Sequence, residues 1–152
     1  MAVAKALGAS RIIGIDINPS RLEFAKQYAA THTYLPLKPE EGEVEYGRRN
    51  AADMKKQLGI TERGSEGIDL VIDASGAEAS IQTAVYIVKA GGTVVQVRNG
   101  LVLIFLSYDL VTKVGMGKPN VTMNVAPIIA KEIIYKGSFR YGVSVQGFGI
   151  SV

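Results

Sequence analysis

Residues 68–97, IDLVIDASGAEASIQTAVYIVKAGGTVVQV, carry the pattern that decides the fold. Ile68–Ile72 is a short apolar run that predicts a buried strand, ended by an aspartate. Ala77–Val88 has apolar residues at helical spacing and predicts a helix, which Gly91–Gly92 terminates. Thr93–Val97 predicts a second strand. A strand, a helix and a second strand at this spacing indicate two parallel strands joined by a crossover helix.

The first thirty residues show the same alternation. Residues 2–7 are rich in alanine and favour a helix, which Gly8 would end in a left-handed conformation. Residues 11–15 predict a short buried strand, and Pro19 suits the first turn of the helix that follows. That helix is expected to bury an apolar stripe formed by Leu22, Phe24, Ala25, Tyr28 and Ala29.

The middle of the chain adds a third strand and a third helix. Tyr34–Leu37 predicts a short strand, and the acidic stretch at 40–45 has no apolar period and predicts a surface loop. Residues 48–58 favour a helix that ends at Gly59. The alternation as a whole predicts an α/β fold with a doubly wound parallel sheet and helices on both of its faces.

Composition limits the protein class. The chain has 152 residues, of which 47% are hydrophobic, and this suits a single folded domain. It has no cysteine, which excludes disulfide stapling, a thiolate nucleophile and a cysteine-ligated zinc site. The single histidine, His32, excludes a histidine cluster and is expected at the surface or at a helix end.

Charge and hydropathy argue against nucleic-acid and membrane partners. The net charge of +3 is confined to residues 98–152, which carry 6 basic and 2 acidic residues. This excess fits either a solvated face or an anionic ligand, and no basic run is interleaved with aromatic residues as nucleic-acid binding requires. The longest apolar run, Leu101–Leu106, is far below the ~20 residues of a membrane helix. A cytoplasmic protein is expected, in which this run would mediate association of copies or aggregation.

An acidic residue follows the first predicted strand. Asp16 stands where dinucleotide-binding folds place the carboxylate that accepts hydrogen bonds from the adenosine ribose. A carboxylate there repels the 2′-phosphate of NADP, so it favours NAD. The alternative is that Asp16 only forms a turn or caps a helix, which is the commoner role of an aspartate after a strand.

Four segments occur in an order typical of one family. They are Gly14–Leu22 (GIDINPSRL), Val71–Gln82 (VIDASGAEASIQ), Gly91–Val97 (GGTVVQV) and Lys136–Tyr141 (KGSFRY). With them the chain resembles the cofactor domain of zinc-dependent medium-chain dehydrogenases, particularly fungal polyol dehydrogenases acting on sorbitol, xylitol or L-arabinitol. The similarity covers about residues 1–97 and 114–142.

This resemblance implies an NAD site and a polyol site. The residues implied to bind the cofactor are Asp16, Arg21, Val114, Gly115, Met116, Ser138, Phe139 and Arg140. Arg140 and Tyr141 are implied to face the polyol, the alternative being a solvent-exposed pair at a strand end. The family also uses zinc, for which this chain has no recognisable ligands.

The nucleotide fold that the resemblance implies is incomplete in this sequence. A Rossmann-type sheet begins with a central strand followed by G-x-G-x-x-G, whose glycines and helix N-terminus receive the pyrophosphate. No such motif occurs here, and the first residues resemble the middle of the helix that follows it. We therefore expect a doubly wound parallel sheet that lacks its first strand and glycine-rich loop, and a chain that is inactive alone.

Two stretches depart from the family pattern. Residues 98–113 form an insert within a partial dinucleotide-binding domain at 1–142, and residues 143–152 form a tail outside the family. Val97-Arg98 and Val143-Ser144 can each be encoded by a donor splice sequence, so we interpret both stretches as translated introns. The alternative for the first is a genuine inserted β-hairpin.

Several functions remain open at this level. By resemblance the chain derives from an enzyme that oxidises a secondary alcohol of a polyol to a ketose by hydride transfer to NAD. The alternatives are a non-catalytic module that binds an adenosine nucleotide and a non-functional gene-model fragment. An S-adenosylmethionine-binding methyltransferase shares the acidic residue but also needs a glycine-rich first loop.

Overall fold

Strands and helices alternate along the part of the chain that the computed structural model describes, which is residues 1–40, 45–98 and 120–139. The helices are α1 (Ala2–Ala6), α2 (Pro19–Tyr28), α3 (Tyr46–Leu58), α4 (Glu78–Ile87) and α5 (Ala126–Ala130). The strands are β1 (Ile13–Ile15), β2 (His32–Tyr34), β3 (Ile68–Asp73), β4 (Val88–Arg98) and β5 (Ile134–Phe139).

All strand pairs in the described ranges are parallel. β1 pairs with β2, and β3, β4 and β5 form a second sheet in that order. Asp73, Gln96 and Gly137 lie in register across the second sheet near the carboxyl ends of its strands. The predicted α/β class is thus confirmed. Among the described residues β1 and β3 each have a partner on one edge only, which agrees with a doubly wound sheet that lacks one strand.

The two sheets share a core beneath α3 and α4. One cluster contains Tyr34, Ala51, Met54, Ile60 and Ile87, and β1 and β3 pack against it through Ile13, Ile68 and Val71. A second cluster contains Ala84, Val88, Val94 and Ile133, and Val71 packs against this one as well. The helix layer therefore holds together two sheets between which the described strands make no pairing.

Close approach of α3 and α4 depends on a glycine. A Cβ added at Gly47 would lie 2.5 Å from the Cβ of Gln82 and 2.7 Å from its carbonyl carbon. No side chain fits at that distance, so Gly47 sets the spacing of the two helices.

A buried polar network reinforces the same contact. The Asn50 side chain, 2% exposed, donates to the Thr83 hydroxyl at 3.2 Å and accepts from the Leu37 amide at 2.9 Å. The Tyr34 hydroxyl lies 3.0 Å from Asn50 Oδ1 and 2.8 Å from Asp53 Oδ2. Burial and the neighbouring Asp53 carboxylate raise the pKa of Tyr34, so its hydroxyl stays protonated. The network links β2, α3 and α4.

One face of the second sheet carries apolar side chains that the described residues leave exposed. Leu70 and Ile134 lie in the same register row, both through Thr93, and Ile72 follows two residues after Leu70 on the same face. Their exposed fractions are 52%, 49% and 61%, respectively. These three residues are named the open face below.

Part of the predicted apolar stripe of α2 is wrong. Leu22, Ala25 and Ala29 are buried, but Phe24 and Tyr28 are exposed. Their rings stack on each other with centroids 5.6 Å apart. Small residues fill the contact with β1, since a Cβ at Gly14 would already lie 3.3 Å from that of Ala25. At 3.6 residues per turn, Phe24 and Tyr28 lie on the side of the helix away from the buried residues, and both remain exposed.

Several element bounds differ from those predicted. β2 is His32–Tyr34 instead of Tyr34–Leu37, and His32 is exposed at its start. β4 begins at Val88 and not at Thr93, so it follows α4 without a loop. The ammonium group of Lys131 explains this junction, because it donates to the carbonyl of Tyr86 at 2.8 Å and to that of Val88 at 3.1 Å. These bonds satisfy carbonyls that the end of a helix leaves free.

The glycine ends of two helices are confirmed. Gly8 has φ +86° after α1, and Gly59 has φ +63° as the left-handed cap of α3. In the described part of the chain no helix has the length and apolarity to cross a membrane. The predicted hairpin alternative at 101–106 and the tail at 143–152 lie outside the described residues.

Candidate functional site

The first candidate group stands where β1 turns into α2. Asp16 Oδ1 accepts a hydrogen bond from the Asn18 amide at 2.8 Å, and Asn18 Oδ1 in turn accepts from the Ser20 amide at 2.9 Å. Pro19 occupies the first position of the helix, as predicted. Asp16 therefore forms the turn that the alternative interpretation assigned to it.

Asp16 also pairs with Arg21, one turn into the helix. Asp16 Oδ2 lies 3.5 Å from Nη1 of Arg21, and the Arg21 side chain is 73% exposed, whereas that of Asp16 is 29% exposed. An ionised carboxylate offers about four acceptor positions, so the turn and the ion pair leave capacity for further donors. The structure thus brings together two of the predicted cofactor residues in a group that a ligand can reach.

An apolar residue next to this pair was missed in the sequence. Ile17 follows Asp16 directly and is 83% exposed. A large aliphatic side chain on the outside of a turn is the signal that could have drawn attention to it, since such a side chain offers a flat apolar surface to a planar ring. Asp16, Ile17 and Arg21 are called the β1 site below.

The second group stands at the end of β3. The Asp73 side chain is buried, with the residue 4% exposed, and it accepts hydrogen bonds from five donors. Oδ1 accepts from the Ser75 amide at 3.2 Å and from the hydroxyls of Ser75 and Ser80 at 2.7 Å each. Oδ2 accepts from the Gly76 amide at 3.2 Å and from the Gln96 side chain at 2.7 Å.

These donors keep the buried carboxylate ionised. Burial by itself raises the pKa of Asp73, but the hydrogen bonds from Ser75, Ser80 and Gln96 outweigh it, and the net pKa is lower than usual. From the sequence, Asp73 is predicted only to end a strand. The serines at 75 and 80 and the glycine at 76, which has φ +64°, are the signal for this arrangement.

The remaining predicted residues divide into two sets. Ser138 is half-buried near the end of β5 and lies in register with Val97 of β4, while the backbone of Phe139 ends the strand. Val114, Gly115, Met116, Arg140 and Tyr141 lie outside the described residues. The structure therefore brings Asp16 and Arg21 together and places Ser138 at the carboxyl end of the second sheet.

The residues of this chain do not fit a zinc centre. The described ranges contain no group of three or more histidine, cysteine, aspartate or glutamate side chains able to hold a metal ion. The whole sequence supplies no cysteine and one histidine, whereas catalytic zinc is usually held by three such ligands.

Comparison with known proteins decides the family. The zinc-binding dehydrogenase family matches residues 1–104, more than half of the chain. This chain belongs to that family. It is 42% identical to D-xylulose reductase A of Aspergillus niger over 152 residues, which cover 99% of this chain and 35% of the relative.

Solved structures show the same fold. The L-idonate 5-dehydrogenase of Escherichia coli matches with a TM-score of 0.58 and 24% identity, over 91% of this chain and 30% of that one. A structure from Sinorhizobium meliloti, solved bound to NADP, matches with a TM-score of 0.56 and 22% identity, over 90% of this chain and 32% of that one. The chain spans about a third of the length of the curated relatives that it matches.

Family membership supports a nucleotide cofactor in general terms. It confirms the predicted resemblance to polyol dehydrogenases, because the relatives include proteins named D-xylulose reductase.

Proposed function

We propose that this chain carries the cofactor-binding part of an NAD-dependent polyol dehydrogenase. The observation that carries the proposal is the half-exposed carboxylate of Asp16 at the end of a parallel strand, held by a turn and paired with Arg21. Dinucleotide-binding folds bind their ligand outside the carboxyl ends of the strands, with an acidic residue on the adenosine ribose.

The β1 site suits the adenosine end of the cofactor. The two ribose hydroxyls would donate to Asp16, whose position is fixed by the Asn18 amide. Ile17 offers an apolar surface to the adenine, and the exposed guanidinium of Arg21 can stack on the same ring system. A 2′-phosphate would meet the negative charge of Asp16, so NAD is the favoured dinucleotide.

The proposed reaction follows from the relatives. Proteins similar to this chain are named for the reduction of D-xylulose, a ketose, whose reverse is the oxidation of a polyol at a secondary alcohol. NAD, when bound, would supply the acceptor for the hydride of the carbinol carbon, and the hydroxyl proton would pass to solvent. Ser138 at the end of β5 and Val114, Gly115, Met116, Phe139 and Arg140 are proposed to approach the nicotinamide side, and Arg140 with Tyr141 the polyol.

Turnover by this chain alone is not expected. It lacks a G-x-G-x-x-G loop for the pyrophosphate and a set of zinc ligands. We propose a partial dinucleotide-binding domain at 1–142, with residues 98–113 and 143–152 as translated introns. Sequencing of the transcript tests this last point, and mature messages that retain both stretches in frame would refute it.

Calorimetry with NAD, NADP and AMP tests the assignment of the β1 site. We expect saturable micromolar binding of NAD and AMP and weaker binding of NADP. Asp16→Asn should weaken NAD binding roughly tenfold, the equivalent of about 1.4 kcal/mol. It should also reduce the preference of the chain for NAD over NADP. Glu23→Gln is the matched control, because Glu23 is an exposed acid on α2, the helix that follows Asp16, and bonds only to Gln27 among its described partners.

The outcomes separate the alternatives. Binding of AMP with no preference for NAD would favour a non-catalytic adenosine-nucleotide module. Absence of binding to all three nucleotides would refute the proposal and leave a non-functional fragment. Formation of NADH from xylitol or sorbitol by the purified chain would contradict the expected inactivity.

A further inference from the structure

The Asp73 carboxylate has no role in the adenosine site, yet it is the most extensively bonded side chain at the carboxyl edge of the second sheet. Its five donors come from three places: the loop at Ser75 and Gly76, the first turn of α4 at Ser80, and β4 at Gln96. Every donor that reaches it from the described residues is electrically neutral. The carboxylate thus ties a loop, a helix and a neighbouring strand to the end of β3.

The network extends across the whole sheet. Gln96 lies in register with Asp73, and its Oε1 accepts from the Tyr135 hydroxyl of β5 at 3.4 Å. Burial and the charge of Asp73 raise the pKa of Tyr135, so this hydroxyl remains a donor. Asp73, Gln96 and Tyr135 therefore connect all three strands, with Tyr135 reaching Gln96 from near the start of β5.

The turn at residues 74–77, which this network holds in place, is exposed to solvent. Ala74, Ser75 and Ala77 form the outer surface of the turn between β3 and α4, and they are solvent-accessible while the carboxylate beneath them is not. Gly76 gives the turn its left-handed φ of +64°, and the Ser75 hydroxyl also accepts from the Ala77 amide at 3.1 Å. The result is a surface turn whose backbone is fixed from below.

The position of this turn suggests its ligand. Doubly wound folds consist of two mononucleotide-binding halves, and a dinucleotide lies across both at the carboxyl ends of the strands. The β1 site belongs to the half formed by β1 and β2. The other half, β3 to β5, is therefore expected to face the second nucleotide of the cofactor, and the 74–77 turn is its rigid part.

We propose that Asp73 is a positioning residue that holds the 74–77 turn against the nicotinamide nucleoside half of NAD. This inference rests on the proposed NAD-binding function and deepens it. Asp73 touches no ligand itself; it fixes the backbone of Ser75, Gly76 and Ala77, and that backbone meets the ribose and the nicotinamide. If Asp73 served only the stability of the fold, its replacement would weaken the binding of the adenosine half and of the nicotinamide half by the same factor.

A comparison of NAD with AMP separates these roles. AMP reaches only the β1 site, whereas NAD reaches both halves. We expect Asp73→Asn, which keeps the shape but turns one acceptor into a donor, to raise the Kd for NAD roughly tenfold and to leave the Kd for AMP within about twofold. Asp69→Asn is the matched control, because Asp69 is an exposed aspartate of the same strand, paired with Lys89.

A milder pair of variants covers the case in which Asp73→Asn does not fold, as judged by circular dichroism. Ser80→Ala removes one donor to Asp73, and Ser80→Thr keeps the hydroxyl. Ser80→Ala should raise the Kd for NAD by a smaller factor than Asp73→Asn does. Ser80→Thr should bind NAD as tightly as the parent chain.

Each result has a defined meaning. If the parent chain binds NAD and the variants weaken NAD and AMP equally, or neither, the positioning role is overturned while the NAD-binding proposal stands. If the parent chain binds neither nucleotide, the proposed function fails and the positioning role fails with it.

Discussion

Asp16 follows β1 and Asp73 ends β3, so each aspartate stands where a parallel strand turns towards a helix. Asp16 accepts one backbone hydrogen bond and faces an exposed arginine, and a ligand can reach it. Asp73 is buried and accepts from five donors of the protein itself. The same residue type in the same sequence context is open to a ligand in one half of the molecule and used by the fold in the other.

The difference shows which features separate a binding group from a structural one. The number of donors already bonded and the depth of burial decide it, and the identity of the residue does not. A carboxylate whose acceptor positions are occupied by donors of the protein stabilises the fold, because a buried charge must be fully hydrogen-bonded. One that keeps capacity contributes little to stability and can serve a ligand.

Removal of Asp73 should have the largest effect on stability. Asp73→Ala leaves buried donors without an acceptor, and the free energy of unfolding should fall by about 3 kcal/mol. Urea denaturation followed by circular dichroism measures this. A loss below about 1 kcal/mol would show that water satisfies the donors and that the contrast with Asp16 is weaker than the contacts indicate.

Low pH should remove the contribution of the Asp73 carboxylate to the free energy of unfolding. Its pKa is lower in the folded chain than the ordinary value of 3.8, so its contribution is complete above the unfolded pKa and is lost as the pH falls through the folded pKa. The difference in unfolding free energy between the parent chain and Asp73→Asn should therefore be constant near pH 7 and shrink below about pH 4. A difference that grows on acidification would contradict the sign of this shift.

Loss of a single donor should have an intermediate effect. Ser80→Ala removes a 2.7 Å hydrogen bond to Asp73 Oδ1, and four other donors remain. The expected loss of unfolding free energy is about 1.5 kcal/mol, the lower end of the range for one hydrogen bond to a charged group. Thermal unfolding of Ser80→Ala and Ser80→Thr measures this loss. Equal stability of the two variants would show that the hydroxyl at position 80 does not contribute to the stability of the fold.

Replacement of Asp16 should change stability least. Its ion pair with Arg21 is exposed on the arginine side, and such pairs contribute little. Asp16→Asn should shift the unfolding free energy by less than about 0.5 kcal/mol. The same variant weakens NAD binding in the proposal above, so a large stability loss would assign Asp16 to the fold and remove the contrast.

Local patterns predicted most of the elements. The apolar run at 68–72, the proline at 19 and the glycines at 8 and 59 are decided by residues within one turn of the chain, and the structure has the expected elements there. The start of β4 was missed, because Lys131, more than forty residues away, satisfies the last carbonyls of α4. The exposure of Phe24 and Tyr28 was missed although the helical period predicts it, since these positions lie on the side of α2 away from Leu22.

The candidate site was only half predictable for a related reason. Asp16 and Arg21 lie five residues apart on one turn and helix, so their proximity follows from the sequence. The bonds of Asp73 to Ser80 and Gln96 depend on the start of α4 and on the register of two strands. A pattern search along the chain contains neither quantity, and it therefore identified Asp16 as a candidate and Asp73 only as the end of a strand.

The open face formed by Leu70, Ile72 and Ile134 has a practical consequence. Contiguous apolar surface beside an unpaired strand edge binds environment-sensitive dyes and promotes precipitation. Handling at high protein concentration should therefore require a mild detergent or low ionic strength, and fluorescence of 8-anilinonaphthalene-1-sulfonate should rise on mixing with the native chain. Leu70→Thr and Ile72→Thr, which keep β propensity while reducing apolar area, are the substitutions that would make the protein tractable for calorimetry.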